Sequence, residues 1–246
     1  LWRFDVSNGR PRGSLVTGGV IASLGPARFF NAPDVALIQR RGAEPYYNIA
    51  IGSGDRAALT APSAHDRFFS IRDRNAFTKL SQVDYEAMTP IVESDLVDIT
   101  GLPPDMTISA TAPGWKLNLT EKVLAESLTV NGKILFTTFQ PSNGEAMCAV
   151  NGSGRIYVVN VDNGTPALDL NGDQAVTADD VSALLSQSGI PAEPTIEMAL
   201  QIPGAPSEPP PPLANTTRCR VGTESLSWCV SPGAVIRTFW QRRLIN

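Results

Sequence analysis

The chain has 246 residues with a formal net charge of −4, and 42% of them are apolar against 18% charged. No continuous basic face can be drawn from so few and so scattered Lys and Arg residues, which argues against a nucleic-acid partner. No run approaches the roughly 18 consecutive apolar residues that span a bilayer. With 20 Pro and 20 Gly, the composition favours short strands and many turns over helices.

The chain opens on Leu1-Trp-Arg-Phe-Asp without an initiator Met or a signal peptide, inside what reads as a strand, so an N-terminal part is expected outside it. A weak repeat follows. Leu1 to Gly9, Phe68 to Ala76 and Ile156 to Gly164 each carry an aromatic, an alternating partner two residues on, and a polar turn ending in Asn-Gly or Asn-Ala. The aromatics Trp2, Phe69 and Tyr157 lie further apart than the roughly 40 to 50 residues of a simple propeller blade, so insertions are expected between them.

Asp34 to Ile38 and Tyr46 to Ile51 read as inner strands. Gly52-Ser-Gly-Asp-Arg then resembles a dinucleotide fingerprint, but such a loop must run straight into a helix, and Pro62 and the strand-like Phe68-Phe69 follow instead. It is read as a glycine turn. Glu93 to Asp98, capped by Ser94 and closed by Gly101 and Pro103-Pro104, is predicted as a short helix in an insertion. A meander is predicted next, from Gly114 to Leu119, Glu121 to Ala125, Leu128 to Val130, Lys133 to Phe139 and Arg155 to Val161, with Asn131-Gly132 as a hairpin turn. Meanders punctuated by aromatics predict an all-β fold of β-propeller blades over residues 1–164, the C-terminal portion of a longer ring.

Asp169-Leu-Asn-Gly-Asp-Gln-Ala-Val-Thr-Ala-Asp-Asp180 is the densest cluster of oxygen donors. Asp169, Asn171, Asp173, the Ala175 carbonyl, Thr177 and Asp180 fall at positions 1, 3, 5, 7, 9 and 12 of an EF-hand loop, the schedule by which a hard cation such as Ca²⁺ gathers six to eight oxygens. Val176 is the expected apolar anchor, and Asp180-Val-Ser-Ala-Leu-Leu the expected exiting helix of an insertion over residues 165–190. Two departures stand out: Gln174 occupies the position of the usual glycine, where a left-handed Cβ costs about 1 kcal/mol or more, and Asp180 is shorter than the usual Glu. The alternative is an acidic turn in which Thr177 and Asp180 form a capping box.

A proline-rich linker is expected over residues 191–215, and closing strands over 216–246, with Val235 to Trp240 the strand-like run. Cys219 and Cys229 flank a turn-rich segment and could pair in an oxidising compartment. Cys148 then pairs outside the chain or stays a buried thiol. Catalytic patterns are weak: His65 is the single histidine, Ser53 and Ser153 lack the nucleophile elbow, and Asp95 and Asp98 read as solvated carboxylates. The chain reads as a non-enzyme.

Taken together and in order, Leu1-Trp-Arg-Phe-Asp, Ile49-Ala-Ile-Gly-Ser-Gly-Asp-Arg, Asp66-Arg-Phe-Phe-Ser-Ile-Arg-Asp, Asp95-Leu-Val-Asp-Ile-Thr, Gly114-Trp-Lys-Leu-Asn-Leu, Glu121-Lys-Val-Leu, Phe136-Thr-Thr-Phe-Gln-Pro, Arg155-Ile-Tyr-Val-Val-Asn and Arg237-Thr-Phe-Trp resemble the C-terminal propeller of the PilY family. The resemblance covers nearly all of the chain except roughly residues 165–215. It implies a type IV pilus assembly factor and tip adhesin of a Gram-negative bacterium, secreted through the periplasm to the pilus tip or cell surface. Minor pilins and a host or abiotic surface would be its partners, in pilus extension, twitching motility, attachment and surface sensing. The family's propeller carries calcium in an Asp-rich loop, to which the 169–180 loop would correspond by motif type. A quinoprotein-type propeller dehydrogenase and a dockerin-like binding module are the alternatives.

Overall fold

The computed structural model describes residues 1–7, 9–61, 66–142, 152–197 and 217–230. The fold is all-β. A hairpin of β1 (Trp2–Val6) and β2 (Val16–Val20) opens the chain, and the short β3 (Ala22–Ser23) follows it. Then β4 (Asp34–Ile38), β5 (Tyr46–Gly52) and β6 (Arg67–Asp73) run antiparallel as a meander. Helix α1 (Gln82–Ala87) precedes β7 (Ile91–Val92), which pairs in parallel with β3. β8 (Val97–Asp98) and β9 (Gly114–Asn118) complete a five-stranded sheet in the order β4-β5-β6-β9-β8.

A four-stranded antiparallel sheet comes next, from β10 (Leu128–Val130), β11 (Lys133–Pro141), β12 (Gly152–Asn160) and β13 (Ser182–Ser188). The last sheet joins β14 (Pro194–Glu197), β15 (Arg218–Val221) and β16 (Glu224–Ser225). Among the described residues no sheet closes on itself.

The strands of the two large sheets are apolar on both faces, and this decides the architecture. Phe68 and Ile134 face one way while their chain neighbours Phe69 and Leu135 face the other, and all four are fully buried. Such strands need a cover on each side. The five-stranded sheet receives Ile21, Ala22, Leu24, Tyr85 and Leu96 on one face, and the four-stranded sheet packs on the other. Beyond the four-stranded sheet lie Cys219, Val221 and Val230. The sheets therefore stack in chain order.

At the central junction Phe68 stacks on Phe136, centroids 3.8 Å apart, and Phe136 on Tyr157 at 4.7 Å. Trp115 Nε1 donates to the Val161 carbonyl across the same junction at 3.0 Å. Asn131 (φ 48°) and Gly132 (φ 72°) form the hairpin turn between β10 and β11 as their sequence predicts, because both residues tolerate positive φ.

Several expectations are corrected. Glu93–Asp95 is a single 3₁₀ turn, not a helix with a Ser94 cap; the Asp95 carboxylate takes the Val92 N–H, and Val97–Asp98 pairs with β9 instead. The helix lies earlier, where Ser81 and Asp84 form a reciprocal capping box and Tyr85 supplies its one buried side chain. Glu121 to Ala125 forms no strand. Lys122 bridges to Phe139 and sends its ammonium to Asp66 at 3.1 Å, while Val123 packs against Gly52 so closely that a Cβ there would lie 2.4 Å from it. That segment stitches the two large sheets together. Residues 191–215 do not begin as a linker, since Pro194–Glu197 is a strand; residues 198–216 lie outside the described residues, as do His65, Cys148 and Val235 to Trp240. Cys219 and Cys229 are disulfide-bonded, with Cα atoms 5.0 Å apart.

Phe68→Ala empties the centre of the aromatic stack and is expected to cost about 3–5 kcal/mol. Denaturant unfolding of the variant checks this: a loss below ~1 kcal/mol contradicts the junction's weight in the fold.

Candidate metal loop

The loop expected to hold calcium joins β12 to β13. Asp169 accepts the Gly172 N–H at 2.6 Å and the Gln174 N–H at 2.8 Å, Asn171 Oδ1 accepts from Asp173 N at 2.9 Å, and Asp173 Oδ1 accepts from Ala175 N at 2.9 Å. Each polar side chain thus turns back on the backbone two to five residues ahead. These local bonds wind the loop tightly. Gln174 takes the left-handed conformation (φ 70°) that position 6 demands despite its Cβ, and the bond from its N–H to Asp169 holds it there.

The carboxylates of Asp169, Asp173 and Asp180 each place an oxygen within 4.8 Å of the others. Two oxygens on opposite sides of a calcium ion, each bonded at about 2.3–2.6 Å, lie roughly that far apart. Three carboxylates so placed could hold a metal ion. Asn171 lies in the same turn, with its Nδ2 donating to Asp173 Oδ2 at 3.2 Å. Thr177 directs its hydroxyl to Asp180 Oδ2 at 3.2 Å. Ala175, whose carbonyl is the expected position-7 ligand, donates its N–H to Asp173.

Asp180 has a second role that its loop position alone does not reveal. It is fully buried, and its two oxygens accept Leu170 N (2.8 Å), Asn171 N (3.2 Å), Thr177 N (2.8 Å) and the Thr177 hydroxyl. One carboxylate therefore ties both ends of the loop together. These donors fill the roughly four lone-pair sites that a carboxylate offers, so Asp180 can ligate a cation only by releasing one of them. The Thr177 N–H, followed by those of Leu170 and Asn171, holds this carboxyl below its ordinary value against the burial that pushes it up.

Two expectations fail here. No α-helix leaves the loop: Ala178–Val181 is a 3₁₀ turn, and Ser182–Ser188 enters the sheet as β13 because the open edge of β12 offers it a ladder. Val176 is not the anchor, being 52% exposed; Leu168 and Leu170 pack against the core instead. Leu168 and Leu170 flank Asp169 in the sequence, which by itself does not say that they, and not Val176, reach the core. The free edge of β13 is covered in its turn by Glu224, whose carboxylate accepts the N–H groups of Ser186 and Gln187 at 3.0 and 3.2 Å. Asp95 and Asp98, read from sequence as solvated, are exposed, and each also accepts nearby donors, Asp98 from Thr100 N and Asn118 Nδ2.

No family model matches the sequence, and neither a curated protein nor a solved structure matches the chain.

Because the folded-state pKa of Asp180 is depressed, its contribution to stability is full above the ordinary value of 3.8 and is lost as pH falls through the lower folded value. The amide resonances of Leu170, Asn171 and Thr177 are expected to move together in that acid window. Asp180→Asn, which faces those donors with an amide, should abolish this step and lower Tm by several degrees; an unchanged acid titration of the three amides contradicts the tie.

Proposed function

We propose that the chain is a calcium-binding propeller-type domain of a type IV pilus assembly factor and tip adhesin. The observation that carries the domain reading is the stacking of the two large sheets in chain order, both of them apolar on both faces. Radially arranged blades pack in this way. The pilus assignment rests on the ordered resemblance to the PilY family, and the metal assignment on three carboxylates spaced as calcium ligands.

In this reading Asp169, Asn171, Asp173, the Ala175 carbonyl and Thr177 hold the ion, with Asp180 as the scaffold and sixth donor. Calcium supplies positive charge where three carboxylates would otherwise repel one another. Its preference for the wound loop shifts the population toward that form, and the loop's exposed outer turn presents the result to minor pilins or to a surface. Among the described residues no helix is long and apolar enough to cross a membrane.

Isothermal calorimetry of the chain with CaCl₂ tests the metal, with Asp169→Ala and Asp173→Ala expected each to weaken uptake by about tenfold or more. Unchanged uptake in both variants eliminates the loop. Expression of the protein in a pilus-deficient strain deleted for it tests the biology: restored twitching with the parent sequence and reduced twitching with Asp173→Ala is the expected result.

A further inference from the structure

An Asn followed by Gly is open to attack by its own backbone, because the glycine nitrogen meets no Cβ on its way to the side-chain carbonyl carbon. Among the described residues three such pairs occur, Asn131-Gly132, Asn163-Gly164 and Asn171-Gly172, and the fold gives each a different setting.

Asn163 is enclosed. Its Nδ2 donates to the Met106 carbonyl at 2.7 Å, its Oδ1 accepts the Thr165 N–H and hydroxyl at 3.3 and 2.9 Å, and a Cβ on Gly164 would lie 2.1 Å from Ile99. Closing a ring there means breaking all three bonds in a packed site. Asn131 is exposed, but both it and Gly132 are held at positive φ in the two-residue turn between β10 and β11, and the Gly132 carbonyl accepts the Val161 N–H at 2.9 Å. The ladder on either side fixes the dihedrals that ring closure must change.

Asn171 differs from both. It and Gly172 are exposed, and no atom lies within 4 Å of where a Gly172 Cβ would stand. Asn171 Oδ1 accepts the Asp173 N–H at 2.9 Å, which folds the side chain back over the intervening peptide and turns Cγ toward the Gly172 nitrogen. The same donor polarises the carbonyl and is placed to meet the negative charge that an attack would develop on Oδ1. The Gly172 N–H in turn donates to Asp169 Oδ1 at 2.6 Å, a carboxylate within reach of its proton. Nucleophile, electrophile, base and oxyanion donor thus belong to five consecutive residues.

We propose that Asn171 is a site of self-catalysed deamidation in the folded protein, with Asp169 as the base. The Gly172 nitrogen bonds to Asn171 Cγ as its proton passes to Asp169. The Cγ–Nδ2 bond then breaks, and Nδ2 leaves as ammonia with that proton, so a five-membered succinimide remains. Water opens the ring at Cγ to give aspartate at position 171, or at the main-chain carbonyl to give isoaspartate; in sum one water is consumed and one ammonia released. Either product adds a negative charge beside Asp169, Asp173 and Asp180, whose oxygens already lie within 4.8 Å of one another. Where Asn171 Nδ2 now donates to Asp173 Oδ2 at 3.2 Å, the aspartate form sets oxygen against oxygen, so the attraction becomes a repulsion. The modification therefore loosens the metal-free loop. On the calcium reading proposed above, the aspartate form also gives the ion one more charged ligand.

The test is prolonged incubation of the purified chain at neutral pH in EDTA, with peptide mass spectrometry and enzymatic isoaspartate labelling at intervals. The peptide carrying Asn171 is expected to take the mass shift of an amide becoming an acid, about tenfold or more faster than Asn163 and ahead of Asn131. In urea the three pairs should converge on similar rates, which shows that the order belongs to the fold. Asp169→Asn, with an unchanged circular dichroism spectrum, should slow the reaction at Asn171 by about tenfold or more and leave Asn131 at its parent rate. An Asn171 that stays amidated, or that reacts no faster than Asn163 in the folded chain, overturns the proposal. So does the same order of rates in urea, or an Asp169→Asn chain that reacts at Asn171 as fast as the parent. EDTA keeps the result independent of the calcium reading: a loop that takes up no calcium but deamidates in this order overturns that reading alone.

Discussion

Two sheets that are apolar on both faces can be stable in water only if something covers each face, and the junction of Phe68, Phe136 and Tyr157 is where that requirement is met most densely. Everything else in the architecture follows from it. The five-stranded sheet must be capped by Ile21, β3, Leu24 and α1, and the four-stranded sheet by the disulfide-held hairpin β15–β16. Stacked aromatic pairs add about 0.5–1.5 kcal/mol each beyond the area they bury. The larger effect is that a flat ring in each sheet sets the spacing at which the sheets meet.

Polar groups within this stack are few and tied. Lys122 is nearly fully buried against Asp66, and Glu121 accepts the hydroxyls of Thr138 and Tyr157 at 2.7 and 2.9 Å. Breaking either arrangement by removing one partner would strand a charge in low dielectric, which is far costlier than the arrangement is favourable. These contacts specify which residues of the two sheets face each other. The 169–180 loop hangs from the same framework through Leu168 and Leu170, so its geometry inherits the rigidity of the core even though Asn171 and Asp173 are exposed.

The strands most legible in the sequence were those whose apolar runs are strongest: β4, β5, β6, β9, β11 and β12 all lie where alternation or continuous burial predicts them. Asn131-Gly132 and the Cys219–Cys229 pair were legible for local reasons, a turn chemistry and a short loop. The failures share a different cause. Asp180-Val-Ser-Ala-Leu-Leu has helical spacing, yet an open strand edge beside it outweighed that propensity. Glu121 to Ala125 has strand composition, yet its role is set by a salt bridge to Asp66 and by Gly52 beneath Val123, both distant in sequence. Helix α1 was overlooked because only Tyr85 of its residues is buried, although Ser81 and Asp84 announced it. For the loop, the ligand spacing was readable and the anchoring was not, since nothing in a single sequence says which Leu will find the core.

The tie made by Asp180 bears on how the chain assembles. β12 and β13 are neighbours in the sheet but are separated by the whole connection that contains the loop, and closing a long connection costs entropy before the ladder repays it. By cinching residues 170 and 177 to residue 180, one carboxylate shortens the effective tether on which β13 arrives. Whatever loosens that cinch lengthens the tether, and the fourth strand becomes the part of the sheet that peels first.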